Sequence, residues 1–391
     1  MPPALPRVWR AALPAALLLA ACGSPAPDCD PMLGLDRAGC AQVRKMRLPA
    51  SLPPARGNAY ASSEDAARLG FRLFFRSDLG RGVACATCHD PSFSFCDRRT
   101  VSRGLASGTR NAPTILNAAR LHVIFWDGRA DSVWSQPLFA IENPIEMGST
   151  RLEMAHYVAG DPLLKGYYEA TFGPMPNLGG LPKAGKPGDP AFDALSAADQ
   201  DLVNRIAANV GKAFEAYERK NSSGKAALDR YLDGESSAII DEARRGLGVF
   251  VRRGCVSCHA GPMFTDESFH DAGFPSSQGS APDLGAGAGV KVLRDNPFNL
   301  DGPYADPVTD PAFPSRDPSA ATEGAFRTPS LRLLSETAPY GHNGVFPTLR
   351  EVVDFHADQA TDTERGQLAA FLRTLTGEQP PRPWNTWPSP Q

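Results

Sequence analysis

The sequence predicts a mainly α-helical fold made of two copies of one unit, packed about a shared interface and joined by long loops. Three observations predict it. The pentamer Cys85-Ala86-Thr87-Cys88-His89 returns as Cys255-Val256-Ser257-Cys258-His259. Each copy follows an apolar helix face: Ala66-Ala67-Arg68-Leu69-Gly70-Phe71-Arg72-Leu73-Phe74 before the first, Ala243-Arg244-Arg245-Gly246-Leu247-Gly248-Val249-Phe250 before the second. The 37 prolines and 36 glycines cluster between helical segments, which marks long connections.

C-x-x-C-H is the attachment pattern of c-type haem. Two cysteines three apart both reach the haem vinyl groups as thioethers, and the next side chain, here His89 or His259, becomes the axial iron ligand. With 8 cysteines and 7 histidines, composition alone predicts roughly 0.003 copies, so two copies are a signal. A zinc ribbon would need partner Cys/His pairs, and a redox dithiol a thioredoxin-like setting; neither is evident. Each unit therefore reads as a cytochrome c-like haem domain, with Cys85, Cys88, Cys255 and Cys258 binding two covalent haems.

The elements follow in chain order. Residues 1–21 read as a signal peptide: Arg7 and Arg10 precede the short apolar run Ala11–Ala20. The run ends in Leu19-Ala20-Ala21-Cys22-Gly23, which looks like a lipoprotein cleavage box with Cys22 as the lipidated first residue; ordinary cleavage is the alternative. Either route exports the chain to a compartment where disulfides persist. Residues 22–58, rich in Pro, Ala and Gly, read as a tether in which Cys29 and Cys40 are placed to close a small disulfide loop. The first haem domain is expected over 59–230, the second over 231–380, and a Pro-rich tail over 381–391. Cys96 is left over and reads as a small buried apolar side chain.

Within these limits, Gly173–Pro190 is expected as a surface loop, and Leu202, Ile206, Val210, Phe214 and Tyr217 as one helix face. Ser276–Thr322 reads as a second long loop and Leu349–Leu375 as a final helical stretch. A net charge of −3 with 21% charged residues gives no basic footprint for nucleic acid. No later segment is apolar for long enough to span a membrane.

An electron carrier needs little beyond two ligands per iron, and this chain carries more. Arg110-Asn111-Ala112-Pro113, Phe125-Trp126-Asp127-Gly128-Arg129-Ala130, Gln136, Glu142-Asn143-Pro144-Ile145-Glu146-Met147-Gly148 and Thr337-Ala338-Pro339-Tyr340-Gly341-His342-Asn343-Gly344 flank the two motifs. Together they resemble the bacterial di-haem cytochrome c peroxidases, a family that includes the MauG-type protein-oxidising enzymes. The resemblance runs from about Leu69 to Phe371. It implies a peroxidatic haem on His89 and an electron-transfer haem on His259. It implies that Trp126 conducts electrons between them and that Gln136 and Glu146 form the distal pair, with Glu146 the acid/base. Asn111, Thr337 and Pro339 would surround a calcium ion, the last two through backbone carbonyls. Hard oxygen donors suit calcium, and a carboxyl group over an open iron suits proton transfer to peroxide.

Two departures stand out. Many relatives carry a His about sixteen residues after the first motif that caps the peroxidatic iron; here the stretch reads Val101-Ser102-Arg103-Gly104-Leu105-Ala106. The sixth ligand of the second haem, Met or Tyr in relatives, falls by position on His356, with Tyr340, His342 and Met263 as alternatives. The expected function is a di-haem c-type peroxidase that reduces hydrogen peroxide with electrons from a small cytochrome c or cupredoxin, lipid-anchored in the periplasm at the outer membrane. A homodimer is among the expectations. The alternatives are a MauG-like oxidase acting on Trp or Tyr of a partner protein, and a plain electron-transfer cytochrome. The intact mass of the exported protein tests this reading at its base: two haem additions on a chain that begins at lipidated Cys22. A mass without both haems overturns the cytochrome reading, and an unmodified N-terminus overturns only the anchor.

Overall fold

The computed structural model describes residues 29–275, 282–307 and 322–388. The expected signal peptide and Cys22 lie outside the described residues. The chain is mainly helical and organised around two hydrophobic cores.

In the first core, helix Glu64–Phe74 crosses the long helix Ala197–Glu218. Ser63 starts the former by accepting the Ala66 N–H at 3.2 Å, and Ser196 starts the latter by accepting the Asp199 N–H at 3.1 Å. Leu69, Leu73 and Phe74 meet Ile206, Val210, Phe214 and Tyr217, all fully buried. Of the face expected on the long helix, only Leu202 sits at the edge. In the second core, helix Asp241–Arg252 crosses helix Asp362–Arg373, burying Leu247 and Phe250 against Leu368 and Phe371. The final stretch is thus two helices, Leu349–His356 and Asp362–Arg373, because Thr361 makes a new capping box with Glu364 between them.

Both crossings pass over a glycine at the matching place in the repeat. A Cβ on Gly70 would collide with the Ala213 carbonyl, and one on Gly246 with the Gln367 carbonyl. The repeat seen in sequence is therefore a repeat of helix contact, with the glycine setting how closely the axes approach.

Three segments cross from one unit to the other. The stretch expected as a tether is, from Cys29 onward, a packed strap. A Cys29–Cys40 disulfide closes it around helix Arg37–Arg44, and Leu33, Val43 and Met46 enter the second core. The Leu48 N–H then donates to Asp229 at 2.8 Å. Farther on, the Ser51 and Pro53 carbonyls accept from Arg120 (3.0 Å) and Arg219 (2.8 Å), and Asn58 donates to Glu215 at 3.0 Å, so the strap ends on the first unit. Its Pro, Ala and Gly content masked a few well-spaced apolar anchors.

The expected tail likewise packs back. Tyr217 donates its hydroxyl to the Trp384 carbonyl at 2.9 Å, and the Trp384 ring meets Phe71 edge-on at 5.6 Å. Phe298 and Tyr304, from the long loop of the second unit, also enter the first core. That loop contains a helix, Ala286–Asp295, weakened by the low-propensity Gly287 and Gly289; it holds because Ala286, Val290 and Leu293 are buried and Gly289 sits against the Asp127 carbonyl. A two-residue antiparallel pair, Phe269–His270 with Phe326–Arg327, completes the interface. No helix among the described residues is long and apolar enough to cross a membrane.

Gly246→Ala should lower stability by about 1–3 kcal/mol, the usual range for overpacking a close contact. Thermal unfolding of the haem-loaded protein checks it. An unchanged Tm would show that the second crossing has slack the structure does not.

Candidate haem sites and the path between them

Each motif sits on a short helical turn, the first reached by a loop beyond helix Glu64–Phe74 and the second directly after helix Asp241–Arg252. Cys85, Cys88, Cys255 and Cys258 are unpaired and half-buried, as thioether formation requires. The histidine that follows is held in the same way in both units. His89 Nδ1 lies 3.2 Å from the Phe95 carbonyl, and His259 Nδ1 lies 2.9 Å from the Phe264 carbonyl. A carbonyl only accepts, so Nδ1 carries the proton and Nε2 keeps the lone pair for a metal. Phe95 and Phe264 are completely buried and take φ of 59° and 53°, in the left-handed region that non-glycine residues seldom adopt. Core burial of the ring fixes the turn, and the turn aims the carbonyl at the imidazole.

A cavity of about 1660 Å³ opens beside the second motif, larger than the ~300–1,000 Å³ of ordinary ligand pockets. Cys255, Cys258, His259, His356 and Trp126 all line it. His356 ends its helix on this wall; the residue is open to solvent on one side, and desolvation of its ring on the other, then the charge of His259, lower its pKa. Phe274 meets the His356 ring at 5.4 Å. The donors and the space fit a haem.

The alternatives to His356 are placed differently. Tyr340 is buried and donates its hydroxyl to the Leu334 carbonyl at 2.8 Å. His342 stacks on Phe326 with ring centroids 3.6 Å apart and stands 6.5 Å from Trp126; burial pushes its pKa down to about 4. Met263 belongs to the turn whose Phe264 carbonyl holds His259, and its own carbonyl accepts from Ser330 at 2.6 Å.

Around the first motif, the Arg103 carbonyl lies 3.8 Å from Cys88 Sγ. This loop bears no imidazole and is pinned to the Glu146 loop: the Leu105 N–H donates to the Glu146 carbonyl at 3.0 Å and the Ala106 N–H to Ile145 at 2.9 Å. Gly104 allows the approach, since a Cβ there would lie 2.5 Å from the Glu146 carbonyl oxygen. Burial raises the Glu146 carboxyl above the usual carboxylate range, opposed by Arg129 and by the Asn143 amide, which donates to it at 2.7 Å. Its field reaches both Cys85 and Cys88. Gln136 begins helix Gln136–Glu142, half-buried. His122 is turned to the other unit, with Nδ1 2.8 Å from Glu267.

Trp126 links the two units. Its indole N–H donates to the Asn111 carbonyl at 2.9 Å, and its own carbonyl accepts the Arg327 N–H at 2.8 Å. The Asn111 N–H in turn donates to the His342 carbonyl at 2.8 Å. Asn111, Thr337 and Pro339 line the same cavity as Trp126. Cys96 is buried, 3% exposed, with its thiol near the Ser94 and Glu336 carbonyls.

Sequence reasoning missed Glu218 and Arg327. Glu218 is buried beside the first motif, its pKa pushed up to about 8 by burial and then by Glu215. An acid on a long amphipathic helix carries no sequence signal that it faces inward. Arg327 is treated below.

The profile of the di-haem cytochrome c peroxidases matches residues 64–237. The methylamine utilization protein MauG of Methylophilus methylotrophus is 30% identical over 357 residues, spanning 85% of this chain and 88% of that protein. Cytochrome-c peroxidase IdrP2 of Denitromonas iodatirespirans is 31% identical over 344 residues, spanning 82% and 84%. Among solved structures, a MauG-like protein associated with microbial copper homeostasis superposes with a TM-score of 0.61 at 25% identity, covering 85% of this chain and 95% of that one. With two C-x-x-C-H motifs on matched helix crossings and relatives of this similarity, the chain belongs to the di-haem cytochrome c peroxidase family and is an oxidoreductase that carries c-type haem.

Proposed function

We propose that this protein reduces hydrogen peroxide at the His89 site with electrons that enter at the His259 site from a small cytochrome c or cupredoxin. The observation that carries this reading is the asymmetry of the two sites. Among the described residues, the first motif has a half-buried carboxyl of raised pKa, Glu146, tied to a loop without an imidazole, and the carboxylates near the second motif show no such rise. Cys85, Cys88 and His89 would hold a haem there, which would supply redox chemistry towards peroxide. Glu146 takes the proton from the near peroxide oxygen and delivers it to the far one, which makes the far oxygen a leaving water. Gln136 orients the peroxide beside it. Trp126, hydrogen-bonded into both units, carries electrons across.

Asn111, Thr337 and Pro339 are assigned to calcium. The Asn111 amide nitrogen donates to the Arg99 carbonyl at 2.8 Å, which leaves its oxygen as the free end. Among the described residues neither the Thr337 nor the Pro339 carbonyl accepts a hydrogen bond. Export to the periplasm fits the Cys29–Cys40 disulfide, and lipidation of Cys22 adds the membrane anchor.

A second reading, oxidation of Trp or Tyr on a partner protein as in MauG-type enzymes, draws on the same uncapped first site. The electron source separates the two. Glu146→Gln should keep both haems and slow peroxide turnover by about 10²-fold or more, the scale of a positioned acid/base. Stopped-flow spectra with and without a reduced cytochrome measure it, and near wild-type turnover moves proton transfer to another residue.

His356 is assigned as sixth ligand of the second haem: Met263, Tyr340 and His342 line the same cavity, but the Tyr340 hydroxyl is committed to Leu334 and the His342 ring is stacked on Phe326. His356→Ala should convert that haem from low-spin to one open to added ligands such as imidazole, with the first unchanged. A wild-type low-spin spectrum in His356→Ala moves the ligand to Tyr340, His342 or Met263.

A further inference from the structure

Four guanidinium groups line the cavity beside the second motif: Arg110, Arg253, Arg327 and Arg332. Three are matched by carboxylates. Arg110 forks onto Asp283 at 2.6 and 2.7 Å and pairs with Asp127 at 2.6 Å. Arg253 pairs with Glu364 at 2.6 Å. Arg332 grips Asp229 at 2.6 and 2.9 Å.

Arg327 is different. It is 6% exposed, and its side-chain hydrogen bonds go to two neutral carbonyls, Phe125 at 3.1 Å and Thr328 at 3.1 Å. Among the described residues the carboxylate whose field reaches it is Glu267, and that is already used: His122 Nδ1 holds one oxygen, and the His122 and Val123 N–H groups hold the other. Burial depresses the Arg327 pKa, yet a guanidinium stays protonated in a protein. A buried cation without an anion costs several kcal/mol. The cavity it lines is the one whose cysteines attach a haem, and a haem brings two propionates.

We propose that Arg327 binds a propionate of the haem at the second site and thereby sets how readily that haem accepts an electron. The same residue donates its backbone N–H to Trp126 and its Nε–H to Phe125. The anionic edge of the haem is therefore anchored beside the indole through one residue. Arg327 is a positioning residue, and its positive charge favours the reduced haem. The inference rests on the haem at the second motif and not on the reaction at the first, so potential rather than turnover is the readout.

The test compares Arg327→Gln and Arg327→Lys in the haem-loaded protein by spectroelectrochemical titration of the low-spin haem, with intact mass as the loading check. Loss of the charge in Arg327→Gln should cut the ratio of reduced to oxidised haem at fixed poise tenfold or more, a fall of about 59 mV per tenfold for one electron. Arg327→Lys should stay within threefold of wild type. A fully loaded Arg327→Gln within threefold of wild type overturns the proposal, as does an Arg327→Lys that falls as far as Arg327→Gln. If Arg327→Gln loads one haem only, Arg327→Lys decides: loading with a wild-type-like potential supports the proposal, and a tenfold fall overturns it. Loss of the second haem in both variants overturns it in favour of a folding role.

Discussion

An imidazole presents a metal-ready nitrogen only if its other nitrogen is tied down, and most of this structure serves that requirement twice. His89 and His259 each donate Nδ1–H to the carbonyl of a phenylalanine turned into left-handed backbone space. That conformation costs on the order of 1–3 kcal/mol, and each ring offsets it by full burial in its unit's core. Phe95 stacks edge-on to Phe74 at 6.1 Å, and Phe264 lies between Phe250 and Phe371 at 6.0 and 6.2 Å. The crossing helices thus reach the metal position through one aromatic side chain per unit. Glycines at the crossings, Gly70 and Gly246, let those helices approach closely enough for the rings to be gripped.

A unit built this way has to leave room for a haem beside its histidine, so its own core cannot close over that position. The cross-strapping is the structural answer. The disulfide-closed strap, the Phe298–Tyr304 loop and the Trp384 tail each carry apolar groups or hydrogen bonds from one unit to the other. Arg332 shows the coupling well: one buried guanidinium holds Asp229, the Met46 carbonyl of the strap and the Pro262 carbonyl of the second haem turn. The Trp126 loop adds its own tie across the interface, through Asn111, which accepts from the indole and donates to the His342 carbonyl, and through Arg327, which donates to the Trp126 carbonyl.

Legibility in the sequence followed the length scale of the physics. The two motifs, the helix faces and the repeat are local, so five-residue and eighteen-residue patterns were enough to read them. The family resemblance pointed to Trp126, Glu146 and His356 because each sits inside a recognisable run. What failed to show was long-range. Residues 29–58 and 381–388 looked like linkers because proline and glycine dominate their composition, whereas their anchoring depends on a handful of side chains such as Leu33, Met46 and Trp384. Helix Ala286–Asp295 was invisible for the related reason that tertiary burial overrides its poor propensity. Arg327 could not be singled out among 40 basic residues until the carboxylates around its neighbours were counted.

The same unit, used twice, is made into two different sites by what stands opposite the free imidazole nitrogen. In the first, a loop without an imidazole brings the Glu146 carboxyl into a dry setting where it holds its proton more tightly than a surface acid. Nothing in that arrangement would help an electron carrier, which gains from two filled axial positions and loses by keeping a buried acid. In the second, His356 ends its helix on the wall of the cavity that His259 also lines, where it would stand as a second imidazole donor under the function proposed above. That contrast is what the proposed division of labour rests on, and the indole of Trp126, hydrogen-bonded at its one polar atom, is the group it would use to cross between the units.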